Sequence, residues 1–157
     1  MFSLNAFIKS FHALALGVPY TLIVSVLGIA IGLVVGALVC AGALWLSRAR
    51  RSSAAVWVSF CRGVPLMVQL LLTFYLLPVI GINVPPTVAA VLAVGLCSSA
   101  YVAEIWRGAI NALPRGQVEA ASAIGMLPRA IWTRIILPQA VRLSLPALIN
   151  ELILLVK

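Results

Sequence analysis

Charge is absent from two long stretches of the chain, Ser10–Ser47 and Gly63–Ala103. A helix needs about 20 predominantly apolar residues to cross a bilayer. The first stretch holds one span. The second has room for two, separated by the uncharged turn Gly81–Pro86. The pattern predicts spans over about 18–46, 64–80 and 87–110. A fourth apolar segment, 139–156, is entered through Arg142 and interrupted by Pro146, Asn150 and Glu151. The expected fold is all-α, a polytopic transmembrane helix bundle. Between the third and fourth segments, residues 111–138 form a basic, helix-prone connection punctuated by alanine, glycine and proline. Ahead of the first span, Phe2, Leu4, Phe7, Ile8, Phe11 and Leu14 alternate with Lys9 and His12. That spacing suits an amphipathic helix on the outer membrane surface. It divides the chain into an interfacial segment, 1–16, and a membrane domain, 17–157.

Within the spans, Gly28, Gly32 and Gly36 repeat every four residues and share one helical face. Small residues at that spacing let a second helix approach closely, although glycine is also simply common in membrane helices. Ser47–Ser53 reads as a basic turn. Ala54–Cys61 reads as an interfacial helix with Trp57 at headgroup depth. Pro65 fits the first turn of the second span, where an N–H has no helical partner anyway, and Pro85-Pro86 opens the third.

Composition settles the class. Hydrophobic residues are 64% of the chain and charged residues 9%, against about 25% charged in a soluble domain; mean hydropathy is +1.18. The net charge of +8 does not indicate nucleic acid, since the cations form neither a tract nor an aromatic-interleaved surface. Arg48, Arg50, Arg51 and Arg62 lie in one connection; Arg107, Arg115, Arg129 and Arg134 lie in another; Gly81–Thr87 between them carries none. By the positive-inside rule the basic connections are cytoplasmic, which places the N-terminus outside. The first span lacks a basic n-region and is too long for a signal-peptide core, so it is expected to be retained. Cys40, Cys61 and Cys97 have no CxxC pair or histidine partner at metal-ligand spacing. No metal or cofactor is expected. No G-x-x-x-x-G-K-[ST] phosphate loop is present, and the single histidine, His12, joins no catalytic constellation. An enzyme is not expected.

The connection 111–138 reads as two short helices. Gln117–Ile124 is Ala-rich, with Glu119 expected in its first turn, where it complements the helix dipole. Gly125 fits the residue just past the end, where positive φ is needed. Pro128 restarts a helix carrying Ile131, Trp132, Ile135 and Ile136. The product is a helix–turn–helix hairpin projecting from the membrane. Ala120, Ala121 and Ala123 give it a thin face that can enter a partner's groove. On spacing alone, the alternative is an amphipathic connection lying on the lipid.

Four motifs then carry a resemblance. They are Arg62-Gly63-Val64-Pro65-Leu66 with Val68-Gln69-Leu70; Ala100-Tyr101-Val102-Ala103-Glu104 with Arg107-Gly108-Ala109-Ile110; Gly116-Gln117-Val118-Glu119-Ala120-Ala121; and Leu137-Pro138-Gln139-Ala140. In this order they resemble the signatures of polar-amino-acid ABC transporter permeases. Glu119-Ala120-Ala121, Gly125, Ile135, Leu137 and Pro138 resemble that family's EAA loop, which docks on the ATP-hydrolysing subunit. The departures are small: Val64 where threonine is usual and Met67 where leucine is common.

The resemblance implies the ABC type-1 importer fold, paired with a second permease copy or paralogue. Two ATPase subunits would sit inside and an amino-acid-binding protein outside. It also implies uptake of polar or charged amino acids across the bacterial inner membrane by alternating access. The coupling loop would comprise Gly116, Gln117, Glu119, Ala120, Ala121, Gly125, Ile135, Leu137 and Pro138. Family members continue beyond the final lysine into a fifth span. Four of five spans are therefore expected here, in either a partial sequence or a truncated, non-transporting fragment.

Polar groups within a membrane are costly and tend to be functional. Gln69, Ser98, Ser99, Tyr101 and Glu104 are the candidates for a substrate path. Ser98, Tyr101 and Glu104, three apart, are expected on one face of the third span. Glu104 either meets an ammonium group or pairs with Arg107 or Arg62. Gln69 either touches substrate or bridges two helices. Glu151 is expected to face the bundle interior.

Overall fold

The computed structural model describes the backbone over 4–45 and 48–156 and the side chains at 11, 14–44 and 52–156. Every element among these residues is helical. In chain order they are α1 (Leu4–Trp45), α2 (Arg48–Gly63), α3 (Leu66–Val79), α4 (Pro86–Asn111), α5 (Arg115–Ala123) and α6 (Pro128–Ile131). A π-helical stretch, Trp132–Ile136, then leads into α7 (Leu137–Val156).

α4 is the centre, contacting α1, α2, α3 and α7. Its sequence suits that place: Ala89, Ala93, Ala100, Ala103 and Ala109 are all buried, and side chains this small let several helices close around one axis. α1 presents Ser25, Gly28, Gly32, Gly36 and Cys40 as its buried stripe. The glycine repeat is a packing seam. A Cβ on Gly28 would sit 2.6 Å from Val94 Cγ1, and one on Gly36 would sit 2.7 Å from the Ser99 carbonyl. The outward faces of α1 and α7 expose Val34, Leu38, Ile149 and Ile153, as lipid-facing surfaces require.

Among the described residues, three helical runs are long and apolar enough to cross a membrane: Leu14–Leu44, Pro86–Asn111 and Pro128–Val156. The expected span 64–80 is shorter than the pattern suggested. α3 has 14 residues, about 21 Å at 1.5 Å per residue, less than the roughly 30 Å hydrocarbon core. It forms the second arm of a broken pair, bent by 103° from Ser52–Gly63; the pair counts as a fourth span only when taken together. Pro65 starts α3 in the extended conformation (φ −55°, ψ 140°). At its other end Gly81 takes φ +83°, and the Ile82 N–H reaches back to the Leu77 carbonyl at 2.9 Å, the closure of a left-handed helix cap.

At two expected boundaries the helix runs on without a break. α1 is continuous from Leu4 to Trp45, so no break separates an interfacial segment at 16 from the span that follows. The amphipathic face expected there rests largely on side chains outside the described residues, as do Arg48, Arg50 and Arg51. The second boundary, between loop and span at 138, is bridged because helix runs from Pro128 through the π stretch into α7.

Candidate functional site

Two regions hold the residues singled out by the sequence. The first is the hairpin formed by α5, α6 and the π stretch. α5 starts at Arg115, with Pro114 just outside in an extended conformation. That start precedes the expected one by two residues. Glu119 is therefore the fifth helical residue, and no acidic residue lies in the first turn, so the expected dipole contact is not made. α5 ends as expected. Gly125 has φ +80°, the Gly125 N–H bonds Ser122 O at 3.0 Å, and the Met126 N–H bonds Ala121 O at 3.1 Å. This pair of bonds is a Schellman cap, which orders the turn without any partner.

The alanine face divides. Ala121 is buried with Ile131 and Ile136, and Ile110, Leu113 and Met126 close around them. Ala121 is therefore enclosed by the hairpin's own side chains. Gly116, Gln117, Glu119, Ala120 and Ala123 are exposed, as are Leu137 and Pro138, whereas Ile135 packs against the Ala121 core. Glu119 and Arg115 lie along a groove of about 520 Å³ floored by Ile110, Val118 and Ile136. The tip adds residues that the motif did not flag: Ile124 and Leu127 are 79% and 73% exposed. Two apolar side chains beside a helix-ending glycine were visible in the sequence as a possible contact.

The second region is the α2–α3 bend, where it meets α4. Gln69 is buried, and its amide nitrogen donates to Cys61 O at 2.7 Å and Val64 O at 2.9 Å. It thus supplies donors to the carbonyls that the break at the end of α2 leaves without helical partners. Its side chain also lies against Cys97 of α4. The geometry shows Gln69 linking the end of α2 to α3.

Glu104 is gripped by Arg107, whose Nε and Nη2 donate to its two oxygens at 2.9 and 2.5 Å. Arg62 Nη1 stands 4.0 Å away, and its guanidinium lies 5.4 Å from the Tyr101 ring centre, within cation–π range. Arg62 therefore ties the end of α2 to α4 through both Tyr101 and Glu104. Glu151 of α7 is half-buried and within electrostatic reach of Arg62 and Cys97, so it faces the bundle as expected. Its neighbour Asn150 is exposed.

Ser98 does not join this group. It lies buried in the α1–α4 seam, donates to Gly95 O at 3.2 Å, and would collide with a Cβ on Gly32. Three residues advance a helix by about 300°, so each step of three turns back by about 60°. Over two such steps Ser98 and Glu104 diverge by about 120°, enough to face different helices. Ser99 is also enclosed and accepts the Trp57 indole N–H at 3.2 Å. The Trp57 ring nitrogen thus points into the bundle.

Comparison with known proteins places this arrangement. Residues 28–157 match the family described as "Binding-protein-dependent transport system inner membrane component". The probable amino-acid ABC transporter permease protein YckA of Bacillus subtilis (strain 168) is 37% identical over the whole chain, which covers 70% of YckA. The L-cystine transport system permease protein TcyB of the same organism is 38% identical over 90% of this chain and 60% of its own length. The chain thus spans 60–70% of these relatives. A crystal structure of an amino acid ABC transporter with histidines superposes with a TM-score of 0.90 at 35% identity, covering 99% of this chain and 73% of that one. The chain belongs to the binding-protein-dependent transport system inner membrane components, as a multi-pass amino-acid ABC transporter permease.

Proposed function

We propose that this chain forms the membrane path of an ATP-driven importer of polar or charged amino acids and docks on a separate ATPase through α5. The observation that carries this reading is the split of α5. Ala121 is locked inside the hairpin, while Gly116, Glu119, Ala120 and Ala123 are exposed on a helix whose end is fixed by its own cap. A thin, rigid, exposed helix suits insertion into a groove, and Ile124 and Leu127 add the apolar area that such docking buries. Glu119 fixes the approach through the groove it shares with Arg115. The basic hairpin lies in the cytoplasm and the N-terminus outside, in keeping with the arginine distribution.

The partners are an ABC ATPase, a second copy or paralogue of the permease, and an extracytoplasmic amino-acid-binding protein. ATP-driven closure of the ATPase pair displaces the α5 hairpin, and the bundle alternates between inward and outward access. The amino acid passes beside the α2–α3 bend, where Gln69, Tyr101, Arg62 and Glu151 gather against α4. Glu104 acts there through the arginines it holds, and Ser98 through helix packing.

The test is uptake by vesicles holding the full-length permease with its ATPase and binding protein. Glu119→Lys is expected to leave membrane insertion intact and to separate ATP hydrolysis from uptake. Uptake at the unaltered rate by that variant would contradict the docking role.

A further inference from the structure

We propose that Gln139 is a positioning residue that fastens the α5 hairpin to α7, so that displacement of α5 is delivered along α7. The proposal rests on the docking role of α5 given above. Two observations meet at one side chain. The first is the π stretch. Pro138 has no N–H, and a proline ring crowds the carbonyl four residues back, here that of Arg134. Immediately before the proline the helix widens, and the Leu137 N–H bonds Trp132 O, five residues back. Single π turns of this kind interrupt the regular ladder, so the helix is joined to its continuation less firmly there than elsewhere.

The second observation is what Gln139 does at that joint. Its amide Nε2 donates to Ile135 O at 3.0 Å, on the widened turn, and to Gln117 Oε1 at 2.6 Å. Gln117 lies in the first turn of α5, 22 residues earlier in the chain. One amide thus spans the π joint and reaches the coupling helix. The apolar core of Ala121, Ile131 and Ile136 makes the same connection by packing, but without direction. The amide supplies the directional part, fixing the rotation of α5 relative to α7. Beyond the joint, α7 runs on to Glu151, 12 residues and about 18 Å along the axis, where the carboxylate lies in the field of Arg62. A movement accepted at Gln117 therefore has a continuous helical route, through Pro146, to the face of α4 against which α7 packs.

The experiment uses the full-length permease assembled with its ATPase and binding protein in vesicles, with amino-acid uptake and ATP hydrolysis measured together. Gln139→Ala is expected to keep ATPase co-purification and basal hydrolysis. Uptake per ATP should fall about two- to tenfold, the range for losing one neutral hydrogen bond. Gln117→Glu combined with Gln139→Lys rebuilds acceptor and donor in the same places and should return uptake per ATP to within about twofold of the unaltered protein. Gln117→Lys with Gln139→Lys sets two cations against each other and should not. Unchanged uptake per ATP in Gln139→Ala overturns the proposal. If Gln139→Ala fails to reach the membrane, the two paired variants decide: equal uptake per ATP in both overturns it. A failure of the docking reading has a separate signature, since the unaltered permease would then not co-purify with the ATPase.

Discussion

Gly36→Ala tests the seam that holds the bundle together. A Cβ at Gly36 would lie 2.7 Å from the Ser99 carbonyl oxygen and 2.7 Å from both Cβ and Cγ1 of Val102. Optimal carbon contacts are about 3.5–4.0 Å, so α1 and α4 must move apart by a substantial fraction of an ångström. No rotamer relieves this, because one obstacle is backbone and another is the Cβ of a β-branched residue. Overpacking of this kind costs about 1–3 kcal/mol. Replacing glycine by alanine inside a helix returns about 0.8–1 kcal/mol of propensity, which would blur a single-variant result. Gly108→Ala supplies the control, since it lies in α4 and a Cβ there meets nothing within 4 Å. The propensity gain cancels between the two variants, leaving a difference of about 1–3 kcal/mol in favour of Gly108→Ala. The chain carries its own reporters: Cys40, Cys61 and Cys97 are free and buried, so a maleimide dye reads their exposure as detergent-solubilised protein is heated. Gly36→Ala should unmask these thiols at a lower temperature than both Gly108→Ala and the unaltered protein. Coincident unfolding curves for the two variants would refute the seam as described.

Two further outcomes follow from the site geometry. Glu104→Gln should leave the apparent affinity for the transported amino acid within about twofold, because Arg107 already occupies both carboxylate oxygens; the stability loss should stay near or below about 1 kcal/mol, since Arg62 and Arg107 are half exposed. A tenfold rise in KM would mean that Glu104 meets the substrate instead. Ile124→Ala should weaken binding of the ATPase about tenfold in a titration of the purified subunits, corresponding to about 1–2 kcal/mol of apolar burial, whereas equal affinity would remove the hairpin tip from the docking surface.

The uncharged runs and the glycine repeat made the helices and the α1–α4 seam legible, because lipid and close backbone approach each impose a rule that acts residue by residue. The polar cluster was less legible. The spacing of Ser98, Tyr101 and Glu104 suggested one face, yet the drift of a real helix sent Ser98 to α1 and Glu104 to the arginines. Length alone hid the brevity of α3: an apolar run long enough to cross was cut by Pro65 and Gly81 into one arm of a bend. Gln69 illustrates a second limit. A buried amide reads equally as a substrate contact or as a bridge until the open carbonyls of Cys61 and Val64 are located. Ala121 turned inward because the hairpin's second arm brings Ile131 and Ile136 onto it, a contact between residues ten and fifteen positions away along the chain. The clasp of Gln139 on Gln117 sits beside the π turn ahead of Pro138, and the proline was the only trace of that turn in the sequence.

The most direct measurement is site-specific cross-linking from α5 to the ATPase, with single cysteines introduced into a full-length permease whose native cysteines are replaced. Cysteines replacing Ala120 and Ala123, which are exposed, should form a cross-link to the ATPase that changes in yield when ATP is added. A cysteine replacing Ala121, which is 4% exposed and enclosed by the hairpin, should form none. Cross-linking from position 121 with none from 120 and 123 would contradict the assignment of α5 as the docking helix in this orientation.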